Sequence, residues 1–486
     1  MKKIIYFFFI GFILINLSSC FFADRGELTG RWTTRLNYAV VDPAGMQLVP
    51  AGSFTMGAND QDVPYAGMTD MKTITMSPFW IDETEITNNE YRQFTHWVRD
   101  SIIRKELMIE DPIRWGWTND PERNWNAAEL EDEQARMDEW YIDWNKKLNY
   151  QRADVTRAMI NTLILGEDEQ MQMDSEGGDA ALRPHFQSKL IDKRKLVYEY
   201  TWFNPDAAAS RLNRYDNEKE DYLEVDRSEA FVIKERVPIY PDTLSWVHDF
   251  TYNFNEPMFD KYFWHPAYAD YPVVGVSWAQ AKAFCRWRTE WKLYWMEEEL
   301  RAFETPYRLP TEAEWEWAAR GGRELAMFPW GGPYSRNVQG CFLANFKPLR
   351  GNYWADGFIY TAPADHYWRN DYNLYNMAGN VSEWTESAYN PMSDIFSSDL
   401  NPEYTYNAKD DEHPHFKKKV IKGGSWKDIG AFLQIGARDF EYQDSSRCYI
   451  GFRCVKSQPY AESAGQFGDI FQPVKDKKDK KDKKKK

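Results

Sequence analysis

The chain has 486 residues, 43% hydrophobic and 28% charged, with a formal net charge of −15. Its 22 Trp, 29 Tyr and 29 Phe exclude a disordered protein, since such chains are poor in aromatics. The acidic balance excludes a general nucleic-acid binder, which needs a basic face for phosphates, and five cysteines are too few for a disulfide-built scaffold.

Lys2 and Lys3 precede an apolar run, Ile4 to Ile15, too short to span a bilayer. It ends in Leu17-Ser18-Ser19-Cys20, so residues 1–19 carry the parts of an export signal. Small residues just ahead of a cysteine resemble the lipobox of bacterial lipoproteins, which implies cleavage before Cys20 and lipidation of that residue. Acyl chains in one leaflet would then hold the protein at a membrane. The other cysteines, Cys285, Cys341, Cys448 and Cys454, would sit in an oxidising compartment. Their connectivity is not legible. Cys448 and Cys454 read as a structural disulfide or as buried thiols.

Residues 20–45 read as a tether. Residues 46–98 read as short strands followed by a helix. Residues 99–270 are charged and Trp-rich, as in Arg114-Trp115-Gly116-Trp117. Dense Gly, Trp and Asn punctuation returns over 271–455. Residues 456–486 read as a flexible tail whose last twelve positions hold nine Lys and three Asp, too polar to bury. Three helix starts carry capping boxes, in which a hydroxyl and a Glu or Gln three residues later satisfy each other's backbone N–H groups. They are Thr87…Glu90, Ser277…Gln280 and Thr311…Glu314. The third helix is predicted to stop at Gly321-Gly322, where glycine accepts a left-handed cap.

Several segments, taken in order, resemble the formylglycine-generating, or sulfatase-modifying factor, family. They include Pro50-Ala51-Gly52-Ser53-Phe54-Thr55-Met56-Gly57, Phe79-Trp80-Ile81-Asp82-Glu83-Thr84-Glu85-Ile86-Thr87-Asn88 and Tyr307-Arg308-Leu309-Pro310-Thr311-Glu312-Ala313-Glu314-Trp315-Glu316. Asn376-Met377-Ala378-Gly379-Asn380-Val381-Ser382-Glu383-Trp384, Gly423-Gly424-Ser425-Trp426 and Gly451-Phe452-Arg453 continue the series. The resemblance covers 46–98 and 271–455. It implies an irregular α+β domain, related to C-type lectins, of low secondary-structure content and interrupted by a long insertion, 99–270. It also implies two calcium sites. One set is Asn345 and Asp356 with the carbonyls of Phe346 and Phe358; the other is Asn376 and Glu383 with those of Gly379 and Val381. Oxygen-only ligands suit calcium, although such residues also cap turns.

Enzymes of the family use two cysteines shortly after the Gly-Gly-Ser motif to bind copper and meet the substrate thiol. Asp428 and Leu433 stand at those positions, and neither supplies the thiolate that soft metals and exchange require. No copper and no catalysis are therefore expected. Glu412-His413-Pro414-His415 is the one local His cluster, in a charged loop where solvation is commoner than ligation. A lipobox, missing cysteines and a long insertion together resemble one branch of the family, the GldK/PorK lipoproteins. That implies a non-catalytic scaffold on the periplasmic face of the outer membrane, in the type IX secretion and gliding machinery. The implied partners are further copies of itself and a PorN/GldN-type ring subunit. The GldJ branch shares scaffold and anchor. Two other readings stay open: a metal-dependent oxidase, and a lipoprotein that binds glycan or peptidoglycan through exposed Trp.

Overall fold

A computed structural model gives the fold, and it describes residues 43–57, 71–117, 141–163, 191–210, 231–249, 261–301, 304–348, 351–409 and 411–458, with 215–216, 221–222 and 258. The export signal, Cys20, most of the tether and nearly all of the tail lie outside the described residues. So do parts of 99–270.

The first sheet is built around strand β4 (Phe79–Asp82), buried at every position. It lies between β1 (Met46–Val49) and the last strand, β12 (Val455–Ser457), with β7 (Tyr307–Arg308) beyond, all antiparallel. Sequence-distant strands thus meet at one place, which holds the start of the described chain to its end. β2 (Gly52–Met56) and β3 (Lys72–Met76) form a separate hairpin whose Phe54 stacks on Trp317 at 5.1 Å.

Helix α1 (Asn88–Glu110) starts at the predicted Thr87 box, with both reciprocal bonds present. It buries Tyr91, Phe94 and Val98, then continues past the expected end through Ile103, Leu107 and Met108. It stops at Asp111, held off the helical region by Pro112 as pre-proline residues are. The extra turns are covered by residues from further along the chain. Val155 and Ala158 of α2 (Ala153–Leu163) are fully buried in the same cluster. The hairpin of β5 (Val197–Phe203) and β6 (Val232–Pro238) joins the cluster through Tyr198, whose ring meets Phe94 at 5.3 Å. Much of the described chain between 99 and 270 therefore shares one core with α1 and α3 (Trp278–Trp295), while Trp246, Met258 and Tyr262 belong to another cluster. Of the described tryptophans there, Trp115 and Trp246 are buried and Trp144 stacks on Trp97 at 4.8 Å, while Trp264 is exposed.

α3 and α4 (Glu312–Arg320) start at the other two predicted boxes, and α4 ends on Gly321 at φ 60°. The second sheet runs β10 (Asp439–Tyr442), β9 (Lys418–Lys422), β8 (Ser382–Ala388), β11 (Ile450–Gly451). The described residues fall within one compact unit, residues 42–461.

One expectation is corrected. Cys448 and Cys454 do not face each other: strand β11 runs between them and puts them in different clusters. The Cys448 thiol donates to Asp249 at 3.0 Å, while Cys454 lies 3.4 Å, sulfur to sulfur, from Cys285 of α3. In the His cluster, His413 Nδ1 accepts from the His415 N–H and caps a short 3₁₀ turn.

Candidate functional site

The loop after β9 turns back sharply at Gly423 and Gly424, with φ of 93° and 67°. A Cβ on Gly424 would stand 2.8 Å from the carbonyl of Phe432, so only glycine allows this approach. The turn brings Asp428 into the lining of a small cleft with Phe432, Arg438 and Asp439. The Asp428 carboxylate accepts from Ser425 N–H at 2.9 Å and from its hydroxyl at 2.6 Å. Burial pushes its carboxyl up, against those two bonds. Leu433 is buried, packed with Phe328, Ala344, Phe346 and Ala378. The two positions thus do different work: Asp428 ties the loop and Leu433 fills the core beneath it. No cysteine lines this cleft.

Behind it lies a buried polar core. Glu383 on β8 receives Arg453 Nε at 2.7 Å and Nη2 at 2.6 Å, and also the Trp315 indole N–H at 2.7 Å. The remaining Arg453 donors reach the carbonyls of Asp82 and Tyr375. Glu85, fully buried, accepts from Asn376 at 3.1 Å and Asn380 at 3.0 Å. Burial pushes its carboxyl up to about 8, opposed by the Arg453 charge and helped by Glu383. Asn376 and Asn380 hold φ of 51° and 64°, a left-handed conformation that Asn tolerates better than most residues.

The structure brings the first implied calcium set together. Asp356 accepts from the backbone N–H of Phe346 at 2.8 Å and of Phe358 at 3.4 Å. Asn345 donates to the Tyr360 carbonyl and, at 3.3 Å, to Asn380. Asp356 is half-buried and its carboxyl is pushed up by burial, opposed only by backbone N–H groups. Among the described residues Asp356 has no basic partner, which leaves its charge open to a hard cation, although both of its oxygens accept backbone N–H groups. The second set fits poorly, because Glu383 is not free. Both of its oxygens are committed to Arg453 and Trp315, and a guanidinium 2.6 Å away repels a cation. That expectation is corrected for Glu383. Asn376 keeps a buried amide oxygen without a partner. Gly379 and Val381 flank Asn380 in the same turn, and a Cβ on Gly379 would meet the Asn345 carbonyl at 2.4 Å. The two sets are therefore adjoining parts of one loop assembly.

The sequence reading gave no role to Glu85 or to Arg453, although both stand inside its quoted motifs. A charged residue amid apolar neighbours, as in Glu85-Ile86 and Phe452-Arg453-Cys454, was the available signal.

A family model described as "Sulfatase-modifying factor enzyme 1-like domain" matches residues 36–187 and 196–458. Formylglycine-generating enzyme from Bos taurus is 37% identical over 192 residues, 38% of this chain and 44% of that protein. The enzyme of the same name from Thermomonospora curvata is 35% identical over 194 residues, 38% of this chain and 55% of that one. The "Inactive C-alpha-formylglycine-generating enzyme 2" of Bos taurus is 32% identical over 192 residues, 38% and 50% respectively. The chain spans about half the length of these curated relatives. The solved structure of PvdO from Pseudomonas aeruginosa superposes with a TM-score of 0.40 at 15% identity, over 85% of this chain and 94% of that one.

Proposed function

The chain belongs to the sulfatase-modifying factor family, and from that premise we propose that it is a non-catalytic lipoprotein of the GldK/PorK kind. In this reading it is anchored through Cys20 to the periplasmic face of the outer membrane. It scaffolds the ring of the type IX secretion and gliding machinery by self-association and by binding a PorN/GldN-type subunit. The observation that carries the loss of catalysis is the pair Asp428 and Leu433. One is tied to Ser425 and the other buried in the core, where the family's enzymes need two thiols facing one cleft. The existence of an inactive relative agrees with a scaffold kept after its chemistry is lost. No helix among the described residues is long and apolar enough to cross a membrane. Calcium at Asn345, Phe346, Asp356 and Phe358 would act structurally, supplying the counter-charge that Asp356 lacks among the described residues.

The test is the mass of the particle solubilised gently from membranes. A megadalton assembly with a second stoichiometric subunit supports the scaffold. A species near the 57.5 kDa of the chain, able to convert a peptide thiol to an aldehyde, overturns it in favour of the enzyme. The exposed Trp354 and Trp368, at 65% and 81% accessibility, favour glycan as a second reading. Retention of the purified protein on cell-wall sacculi, lost in Trp354→Ala with Trp368→Ala, would support that one.

A further inference from the structure

The described chain begins and ends on the two sides of one strand. Its first residues are pinned at the Asp82 end of β4: Met46 opposes Asp82, and the Glu83 N–H reaches the Gly45 carbonyl at 3.0 Å. Its last residues are pinned at the other end, where Ser457 opposes Phe79. There the Gln458 N–H donates to the Pro78 carbonyl at 3.2 Å, and the Gln458 side chain accepts from the Trp80 indole at 3.0 Å. β1 and β12 thus flank β4 as its two neighbours. With strands about 4.8 Å apart and a rise of about 3.3 Å per residue, the chain enters and leaves this sheet within about 20 Å.

Residues 20–42 span at most about 80 Å and residues 459–474 at most about 55 Å. A bilayer that holds residue 20 is therefore within reach of the stretch 475–486 over most of the range the tether allows. That stretch lies outside the described residues, and its nine Lys and three Asp give it a charge of +6. The rest of the chain then carries −21 of the total of −15, so an anionic leaflet repels it. The stretch holds no apolar or aromatic side chain. Protein interfaces are depleted of Lys and built around aromatic anchors, whereas a headgroup layer is bound by Lys alone.

We infer that residues 475–486 are a second attachment site, which binds the anionic phosphate headgroups of a phospholipid bilayer and draws the acidic body to the surface that Cys20 reaches. The inference rests on the lipoprotein reading only for which membrane lies in reach. Acyl chains and a polybasic segment are complementary anchors, one supplying apolar burial and the other charge.

The experiment is flotation of the full chain carrying Cys20→Ser, so that acylation contributes nothing, with vesicles of phosphatidylcholine alone or with about one-third phosphatidylglycerol. The comparison is the same chain with all nine lysines of 475–486 changed to Gln, so any other membrane-binding segment contributes equally to both. The expected result is partition at least about a hundredfold stronger onto the anionic vesicles, lost in the Gln variant. It should also fall steeply between about 50 and 300 mM salt. Equal binding to both vesicles, or anionic binding that the Gln variant keeps, overturns the inference. A particle mass that rises through the lysines without vesicle binding overturns it too, by assigning the stretch to a second copy of the chain. The anchor is read separately, from the mass of the peptide that begins at Cys20 in protein taken from native membranes. An unacylated Cys20 alongside lysine-dependent flotation defeats the lipoprotein reading and supports this one.

Discussion

Arg453 and Glu383 form a two-point ion pair from which water is excluded, with side chains 0% and 1% exposed. The pair joins β8 to the segment between β11 and β12, and so ties the second sheet to the first. A charge pair buried this deeply gains little over apolar packing, yet losing one member leaves the other uncompensated. Arg453→Met is expected to destabilise the protein by about 3–5 kcal/mol. Arg453→Met with Glu383→Leu should recover a substantial part of that, as measured by denaturant unfolding of the four corners of the cycle.

Lys419 gives a pH dependence with a definite sign. Its ammonium is 1% exposed, donates to the Tyr406 carbonyl at 2.5 Å and lies 3.7 Å from the Trp278 ring. Lys282 faces the same ring at 4.4 Å and takes Glu386 as its own partner at 3.2 Å. Burial pushes Lys419 down from 10.5 to about 7, opposed by Glu386 and helped by Lys282. Between pH 7 and 10.5 the unfolded chain therefore binds more protons at this residue than the folded one. Stability rises with pH across that window and is flat in this group below it. Lys419→Met should remove the upward slope, read as the difference in unfolding free energy between pH 7 and pH 9.

Calcium should raise Tm through Asp356. Asp356→Asn keeps the shape but loses the charge that attracts the cation, so it should abolish the rise seen on adding millimolar calcium, with little change in calcium-free buffer. Differential scanning in chelator and in calcium reads both. A calcium response that survives Asp356→Asn would show the cation bound elsewhere.

The capping box at Thr311 should show its worth directly. Thr311 Oγ1 accepts from Glu314 N–H at 3.2 Å and Glu314 returns to Thr311 N–H at 2.9 Å. Thr311→Ala is expected to cost about 1 kcal/mol and Thr311→Ser much less. Arg308 should keep its pair with Glu314, at 2.6 Å, in both variants. Urea unfolding separates these outcomes.

The three capping boxes were legible because each is complete within four residues, and a local pattern needs no partner from elsewhere. The family segments were legible for a related reason: their Gly and Asn positions report backbone conformations. Gly424 and Asn380 are such cases, one for close approach and one for a left-handed turn. That Cys454 lies against Cys285 was not legible, since nothing near Cys454 in sequence marks Cys285. The length of α1 was not legible either. Its later turns bury Ile103 and Leu107 only because a segment some fifty residues onward returns to cover them.

By itself, then, the sequence determined the family segments, the helix starts, and the residue types standing at Asp428 and Leu433, all properties of short stretches of chain. The tertiary structure alone decided that Glu383 belongs to Arg453, that Glu85 is an acid held by two distant asparagines, and that Asp356 has no basic partner among the described residues. Charge compensation in a buried site depends on which groups meet across 70 to nearly 300 residues, and no local pattern carries that information.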